Sequence, residues 1–151
     1  LVQDRERNMV IVAEVLDRLT PDSRALILTD RIEHVTALAE LLAAYAPVVL
    51  TGELPKAARE SAMTAVRDGA ALTIATAALL GEGIDVPGWD LLFMASPFAG
   101  GPRTLQAVGR VARAALGKAS ATVVDFVDGL VPALVAAHRQ RARVLGIGCA
   151  A

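Results

Sequence analysis

Five short apolar runs, separated by segments of helical periodicity, restrict the fold of this chain more than any other feature. The runs lie at residues 24–29, 48–50, 71–75, 91–95 and 121–127. Each is continuous rather than alternating, which is typical of strands that are buried on both faces of a sheet. Because such strands alternate here with helices, the pattern predicts an α/β fold in which a parallel sheet lies between two layers of helices.

Apolar residues at helical spacing fill the stretches between these runs. The predicted helices cover residues 8–19, 30–45, 54–68, 102–116 and 130–145. Asp30 is expected to cap the second helix, whose apolar stripe includes Leu41 and Tyr45, and Gly69 to end the third. Since no repeat and no linker interrupts this order, we predict a single domain over residues 1–151.

Composition excludes several classes of protein. Hydrophobic residues make up 54% of the chain and aromatic residues only 3%, so the core must be largely aliphatic. The single cysteine, Cys149, excludes an internal disulfide or a cysteine-based zinc site. His34 and His138 fall within predicted helices, so neither a histidine-based catalytic set nor a metal site is expected.

No apolar run reaches the roughly 18 residues of a membrane span, and no leader sequence is visible. We therefore expect a cytoplasmic location and no membrane partner. The first residue is Leu1 rather than methionine, which suggests a piece of a longer protein.

The net charge of −1 conceals an uneven distribution. Residues 1–100 carry 8 basic and 14 acidic side chains, whereas residues 101–151 carry 7 basic and 2 acidic ones. Such a basic segment suits a surface that faces an anion, but it is also typical of a helix with solvated arginines. Charge alone favours the second interpretation and leaves the first one open.

The predicted helix 102–116 separates polar from apolar side chains. Gln106, Arg110 and Arg113 are spaced four and three residues apart, so they share one face. On the other side, Leu105, Val108, Ala112 and Ala115 can pack on the sheet. Arginine suits phosphate recognition because its planar guanidinium is permanently charged. This spacing alone is equally compatible with a solvated polar face.

A phosphate-binding loop is missing from the sequence. Gly117 and Lys118 are followed by Ala119 instead of the serine or threonine that would hold magnesium. They also follow a predicted helix and precede a strand, which is the wrong order for such a loop. Any nucleotide chemistry would therefore depend on residues outside this chain.

Four segments in order, however, resemble the C-terminal RecA-like domain of superfamily 2 helicases, the DEAD/DEAH-box and related ATP-dependent translocases. Residues 24–42 are similar to motif IV, and residues 50–59 to the glycine-containing loop and helix that follow it. Residues 73–87 are similar to motif V. Residues 106–113 read Gln-Ala-Val-Gly-Arg-Val-Ala-Arg and are similar to motif VI. The resemblance covers nearly the whole chain and implies a RecA-like fold.

The resemblance also implies roles at an ATP site. Arg110 and Arg113 would face the γ-phosphate of an ATP molecule, with Arg113 as the arginine finger. Gln106 would bind nearby and help to couple ATP to domain closure. Gly83 would leave room for the nucleotide, and Asp85 would accept a hydrogen bond from its ribose. ATP and Mg²⁺ would be held mainly by an N-terminal RecA-like domain that this chain lacks.

The resemblance further implies contacts with a DNA or RNA backbone through Thr76, Thr51, Gly52 and Arg31. Hydroxyl groups and backbone N–H groups bind phosphates without reading sequence. Ordinary turn chemistry at the two threonines, and a simple charge at the start of a helix for Arg31, are the structural alternatives.

Motif VI departs from the DEAD-box pattern, because it begins with Gln106 and has Ala112 where that subgroup has glycine. The broader superfamily is therefore favoured. The sequence predicts one half of an ATP-driven nucleic-acid motor that is inactive alone. A non-motor interaction or regulatory module is the alternative, whereas a small-molecule enzyme lacks a nucleophile or base.

Overall fold

A five-stranded parallel sheet forms the centre of the described part of the protein. The structure is a computed structural model. It describes residues 1–82, 88–97, 107–109, 111 and 121–145, without the side chains of residues 80–82. In chain order the elements are α1 (Arg5–Arg18), β1 (Ala25–Thr29), α2 (Ile32–Leu41), a 3-10 turn (Ala43–Tyr45), β2 (Val48–Leu50), α3 (Lys56–Arg67), β3 (Leu72–Thr76), a second 3-10 segment (Ala77–Glu82), β4 (Leu91–Met94), β5 (Thr122–Asp125) and α4 (Pro132–Leu145). Residues 107–109 and 111 are also helical. The predicted α/β class with a parallel sheet is confirmed.

The strands follow the order β2-β3-β1-β4-β5, and every adjacent pair is parallel. The chain begins in the middle of the sheet at β1, moves outward to β2, and returns through β3. It then crosses to β4 on the other side of β1. The loops that follow β1 and β4 therefore lead to opposite halves of the sheet, which is the arrangement that opens a crevice in doubly wound α/β folds.

Alternate residues of the strands enter two separate cores, because successive side chains point to opposite faces. On one face, Ile27 and Ile74 pack with α1 and α2. On the other face, Leu26 and Leu28 pack with α3 and with the helical residues Ala107 and Val111. The result is the predicted three-layer α/β/α arrangement, with an aliphatic core around fully buried β1.

Two expectations about α2 are wrong. Asp30 does not cap the helix: Arg31 occupies the N-cap position, and no side chain makes a capping hydrogen bond. The helix also ends at Leu41, earlier than predicted, because the chain tightens into a 3-10 turn before Pro47. Leu41 and Tyr45 are consequently 43% and 48% exposed instead of joining the core.

The predicted end of α3 is confirmed. Gly69 has φ +107°, a left-handed conformation that favours glycine, and its N–H group donates to the Val66 carbonyl. Ala70 N–H donates to the carbonyl of Ala65, which completes a Schellman-type helix end. The chain can thus reverse at once into β3.

Candidate functional site

The carboxyl ends of β2, β3 and β1 place three threonines next to one another at one edge of the sheet. Thr29 is the register partner of Thr76 at the last pairing between β1 and β3. Leu50 pairs with Ala75, so Thr51 follows at the level of Thr76. In parallel sheets this edge is where loops form ligand sites. The structure therefore brings together two of the residues predicted to contact a nucleic acid, Thr51 and Thr76.

Thr51 and Thr76 differ from Thr29 in how their hydroxyl groups are used. Both are largely buried, at 6% and 5% exposed. Among the hydrogen bonds of the described residues, none involves either of these hydroxyl groups, whereas Thr29 is bonded to two other side chains. Thr51 and Thr76 can therefore bind an incoming acceptor, and Thr29 has a structural task.

Gly52, which follows Thr51, lies in an exposed turn. A Cβ atom built there would meet no heavy atom within 4 Å, so the fold itself does not exclude a side chain. A glycine in open space keeps the backbone N–H groups of the loop accessible.

Arg31 is exposed at the start of α2 and lies between two cavities. One, of about 420 Å³, is lined by Arg31, Asp30, Arg7 and Ser96 among others. The second, of about 440 Å³, is lined by Arg31 together with Glu53 of the loop after β2. Arg31 and Glu53, the residue that follows the Thr51–Gly52 turn, thus line the same cavity.

A series of buried hydrogen bonds connects the carboxyl ends of β4 and β1 to the helices that pack on them. It was not predicted from the sequence. Ser96 Oγ lies 2.7 Å from Thr29 Oγ1, which lies 2.8 Å from His34 Nδ1. His34 Nε2 lies 3.0 Å from Asn8 Oδ1, and Asn8 Nδ2 donates to the Val2 carbonyl at 2.9 Å. This series of hydrogen bonds crosses from the end of β4 through β1 and α2 to α1.

The direction of each hydrogen bond follows from the two ends. Because the Asn8 amide nitrogen donates to a carbonyl, its oxygen must accept, so His34 Nε2 carries the hydrogen. In neutral His34, Nδ1 then accepts from the Thr29 hydroxyl, and Thr29 accepts from Ser96. Ser96 Oγ in turn accepts from the Asp30 N–H at 3.0 Å. Ser96 is thereby fixed to the backbone that leads into Arg31.

Burial keeps His34 neutral. Its side chain is 1% exposed, and desolvation, helped by the positive charge of Arg7, lowers its pKa from 6.5 to about 4. A protonated ring would have no acceptor at Nδ1, so the hydrogen-bond directions given above require the neutral form of His34.

The sequence does contain an indication of this series of hydrogen bonds. Asn8 stands three and four residues before Ile11 and Val12 of α1, and His34 stands four residues before Leu38 of α2, all of them buried. A polar residue on an apolar helix stripe must find a buried partner. Periodicity reveals that such a partner is needed, but only the packing of α1 against α2 reveals which one it is.

The family is decided by a match to the helicase conserved C-terminal domain over residues 7–115, more than half of the chain. The chain belongs to the helicase C-terminal domain family. Comparison with curated proteins finds none with significant sequence similarity.

Solved structures of helicases have the same fold as this helicase C-terminal domain. S. cerevisiae Dbp5 bound to RNA and ADP BeF3 superposes with a TM-score of 0.75 at 17% identity, over 92% of this chain and 36% of that chain. The E. coli DEAD-box protein SrmB, bound to RraA, gives 0.71 at 23% identity, over 93% and 79%. T4 UvsW gives 0.70 at 18% identity, over 93% and 32%. The predicted RecA-like fold is therefore confirmed.

The predicted ATP-site residues of this helicase C-terminal domain lie outside the described residues; they are Gly83, Asp85, Gln106, Arg110 and Arg113. The described part of the motif VI segment is helical, with Ala107 and Val111 buried in the core and Gly109 exposed. Val108, expected to pack on the sheet, packs partly buried against the same core.

Neither a metal centre nor a membrane segment is found in the part of this helicase C-terminal domain that the structure describes. No group of three or more His, Cys, Asp or Glu side chains there could hold a metal ion. None of the described helices combines the length and the apolar character that crossing a membrane requires.

Proposed function

We propose that this chain is the C-terminal half of an ATP-dependent nucleic-acid helicase or translocase, and that it holds the DNA or RNA backbone at the carboxyl edge of its sheet. The observation that supports this most is that Thr51 and Thr76 lie side by side at the ends of β2 and β3, while Arg31 lines one cavity with Glu53 of the loop after β2. These residues lie at the carboxyl ends of β1, β2 and β3 or just after them, and the sheet order makes those ends neighbours.

This surface has the chemistry of backbone recognition. This edge of the sheet offers the Arg31 guanidinium, the hydroxyl groups of Thr51 and Thr76 and the open Gly52 turn. Asp30, Glu33 and Glu53 line the cavity beside Arg31, so the surface is not basic. Guanidinium and hydroxyl groups bind phosphates and riboses without distinguishing bases. A moving motor needs that property, because it must hold every sequence equally well.

We further propose that motif VI serves ATP hydrolysis. Arg113 is the arginine finger, Arg110 faces the same phosphate, and Gln106 couples nucleotide state to closure of the two domains. Among the neighbouring positions that the structure describes, Ala107 and Val111 are buried in the core and Gly109 is exposed. Gly83 and Asp85 contact the nucleotide in this proposal, while an N-terminal RecA-like domain holds most of the ATP and Mg²⁺.

The molecules bound in solved structures of the same fold support the proposal. Dbp5 has been solved with RNA and ADP BeF3, and this chain spans 36% of that longer protein. SrmB and Dbp5 have also been solved with the proteins RraA and Gle1. Both kinds of complex use a protein of this fold, so the decisive experiment must measure nucleic-acid binding directly.

The test replaces Arg31 with glutamine in the protein that carries the ATP-binding domain. Loss of one phosphate contact should weaken single-stranded DNA and RNA binding about tenfold at low salt. The magnitude of the slope of log binding constant against log salt concentration should fall by about 0.7. Both changes should be the same for every base sequence. Fluorescence anisotropy over a salt series measures both quantities.

Arg67→Gln is the matched control, because Arg67 is an exposed arginine at the end of α3, on the opposite edge of the sheet. It should leave affinity and slope close to those of the unmodified protein. If Arg31→Gln and Arg67→Gln behave alike, the proposed surface is wrong. If the unmodified protein does not bind nucleic acid at all, the non-motor interaction module becomes the better interpretation.

A further inference from the structure

Arg7 is a nearly buried arginine whose hydrogen-bonding capacity is mostly unused. Its side chain is only 9% exposed, and its Nε donates to Asp128 Oδ1 at 2.7 Å. Both terminal nitrogens, Nη1 and Nη2, are buried without a hydrogen-bond partner, and so is Oδ2 of Asp128. Buried donors that stay unsatisfied destabilise the folded state, so such donors usually have an acceptor to bind.

The cavity of about 420 Å³ beside Arg7 offers the space for such an acceptor. It lies at the carboxyl ends of β1 and β4, and Arg31, Asp30, Ser96 and the first two residues of the chain also line it. Two arginines thus reach the same cavity from α1 and from the start of α2.

The remaining groups of the cavity narrow the choice of ligand. The Ser96 hydroxyl hydrogen is directed to Thr29, and His34 is neutral, so neither adds a free donor or a positive charge. The donors left are the Arg7 guanidinium and Arg31, together with the start of α2, which no side chain caps. The carboxylate of Asp30 offsets part of their positive charge. A helix start and guanidinium groups both favour an anion, phosphate above all.

We propose that this cavity is a phosphate-binding site with Arg7 as its principal ligand, a role separate from the proposed backbone contacts of Thr51 and Thr76. Asp128 neutralises part of the Arg7 charge through Nε and leaves the two terminal nitrogens for the phosphate oxygens. The phosphate group can belong to a nucleic-acid backbone or to a small phosphorylated molecule, since the recognising chemistry is the same.

Titration of the full chain with inorganic phosphate, followed by NMR, tests the site directly. The signals to follow are the Arg7 Nε–H and the backbone amides of Ile32 and Glu33 at the start of α2. They should shift together and saturate with a Kd of about 1–10 mM. Absence of saturable shifts at these positions up to about 50 mM phosphate would overturn the proposal.

Three variants separate binding from structure. Arg7→Gln should weaken phosphate binding at least about tenfold, whereas Arg5→Gln, an exposed arginine of the same helix, should leave it unchanged. Asp128→Asn should tighten binding severalfold, because it frees the Arg7 charge without removing the ligand. A purely structural Arg7–Asp128 pair predicts no such gain, so unchanged affinity in Asp128→Asn contradicts the site.

Arg7→Gln alone leaves Asp128 without its partner and can impair folding. The double variant Arg7→Gln/Asp128→Asn buries no unpaired charge and should still fold, with phosphate binding lost. Binding by this double variant as tight as in the unmodified chain overturns the proposal.

A competing single-stranded oligonucleotide identifies the source of the phosphate. If it displaces inorganic phosphate from the Arg7 site, a nucleic-acid backbone reaches the cavity; if both bind together, the site serves a small phosphorylated molecule. The Arg31→Gln experiment above can fail while this titration succeeds, so the two proposals are tested separately.

Discussion

Arg24 joins the starts of neighbouring strands at the amino edge of the sheet. Its carbonyl accepts from the N–H groups of Asp90 and Leu91, and its own N–H donates to Asp90 Oδ1 at 2.8 Å. Its guanidinium lies over two glycines: a Cβ on Gly69 would come within 2.7 Å of Nη2, and one on Gly88 within 2.5 Å of Nη1. The Arg24 side chain therefore packs against both the loop that contains Gly69 and the loop that contains Gly88.

Gly88→Ala and Gly69→Ala should both destabilise the fold, but for different reasons. At Gly88 the three atoms nearest the new methyl all belong to Arg24, and moving this flexible side chain to a less favourable rotamer should cost about 1 kcal/mol. At Gly69 the positive φ adds a backbone cost of about 1–2 kcal/mol that does not depend on Arg24. Urea denaturation measures the free energy of unfolding of each variant.

The background variant Arg24→Ala separates the two causes. In this background Gly88→Ala should cost almost nothing, whereas Gly69→Ala should remain destabilising. Equal costs of Gly88→Ala in both backgrounds would mean that Arg24 does not determine the need for that glycine.

Polar residues fix the order in which helices and strands pack at the carboxyl edge. The hydrogen-bond chain from Ser96 to Asn8 connects β4, β1, α2 and α1, and each member is buried. On the next strand, Asp125 at the end of β5 accepts two hydrogen bonds from Arg141 and lies 2.8 Å from His138 Nδ1. Arg141, 1% exposed, therefore anchors α4 to the end of β5.

Stability should fall with acid because of His34. The ring is neutral in both states above pH 6.5, but below it the unfolded chain binds a proton that the folded protein does not bind until about pH 4. The folded state therefore loses stability as the pH falls from 6.5 to 4. The full loss is about 3 kcal/mol, with no further contribution below pH 4.

Comparison with His34→Gln isolates this contribution, because glutamine does not titrate and His138 is present in both proteins. The stability advantage of the unmodified protein over the His34→Gln variant should shrink across this pH window when the free energy of unfolding is measured by urea denaturation. Parallel curves for the two proteins would show that His34 does not remain neutral.

The domain presents its proposed nucleic-acid surface and its motif VI segment on one α/β unit, yet the sequence lacks a phosphate-binding loop. In our proposal the domain works only against a second RecA-like domain. Dbp5 and UvsW fit this view, because the chain spans only about a third of each solved protein.

Arg113→Ala in the protein with its ATP-binding domain should lower the rate of ATP hydrolysis by a factor on the order of 10³ to 10⁵ while ATP binding survives. The reason is that the finger stabilises charge in the transition state, not the bound nucleotide. Arg139→Ala, an exposed arginine of α4, is the control and should keep turnover.

The isolated chain provides a complementary measurement, because it should show no Mg²⁺-dependent ATPase activity. Substantial hydrolysis by the isolated chain would contradict the two-domain proposal, and preserved turnover in Arg113→Ala would remove the finger assignment.

The sequence by itself determined the order of strands and helices, the parallel α/β class and the family. Continuous apolar runs, helical spacing and motif residues are local along the chain, so they can be read without coordinates. Errors arose where the local signal was ambiguous: Asp30 has the right chemistry for a cap, and Tyr45 continues an apolar stripe, yet the cap position falls to Arg31 and the helix ends at Leu41.

Only the tertiary structure decided which polar residues meet. The sheet order places Thr76 between Thr29 and Thr51, although Thr76 follows both of them in the sequence. It also bonded the Thr29 hydroxyl to two side chains and left the hydroxyl groups of Thr51 and Thr76 without a hydrogen bond among the described residues, a distinction that three similar strand ends do not reveal. Partners such as Ser96 with Thr29, or Arg7 with Asp128, come from distant segments, and their pairing depends on packing across two helix layers rather than on any local pattern.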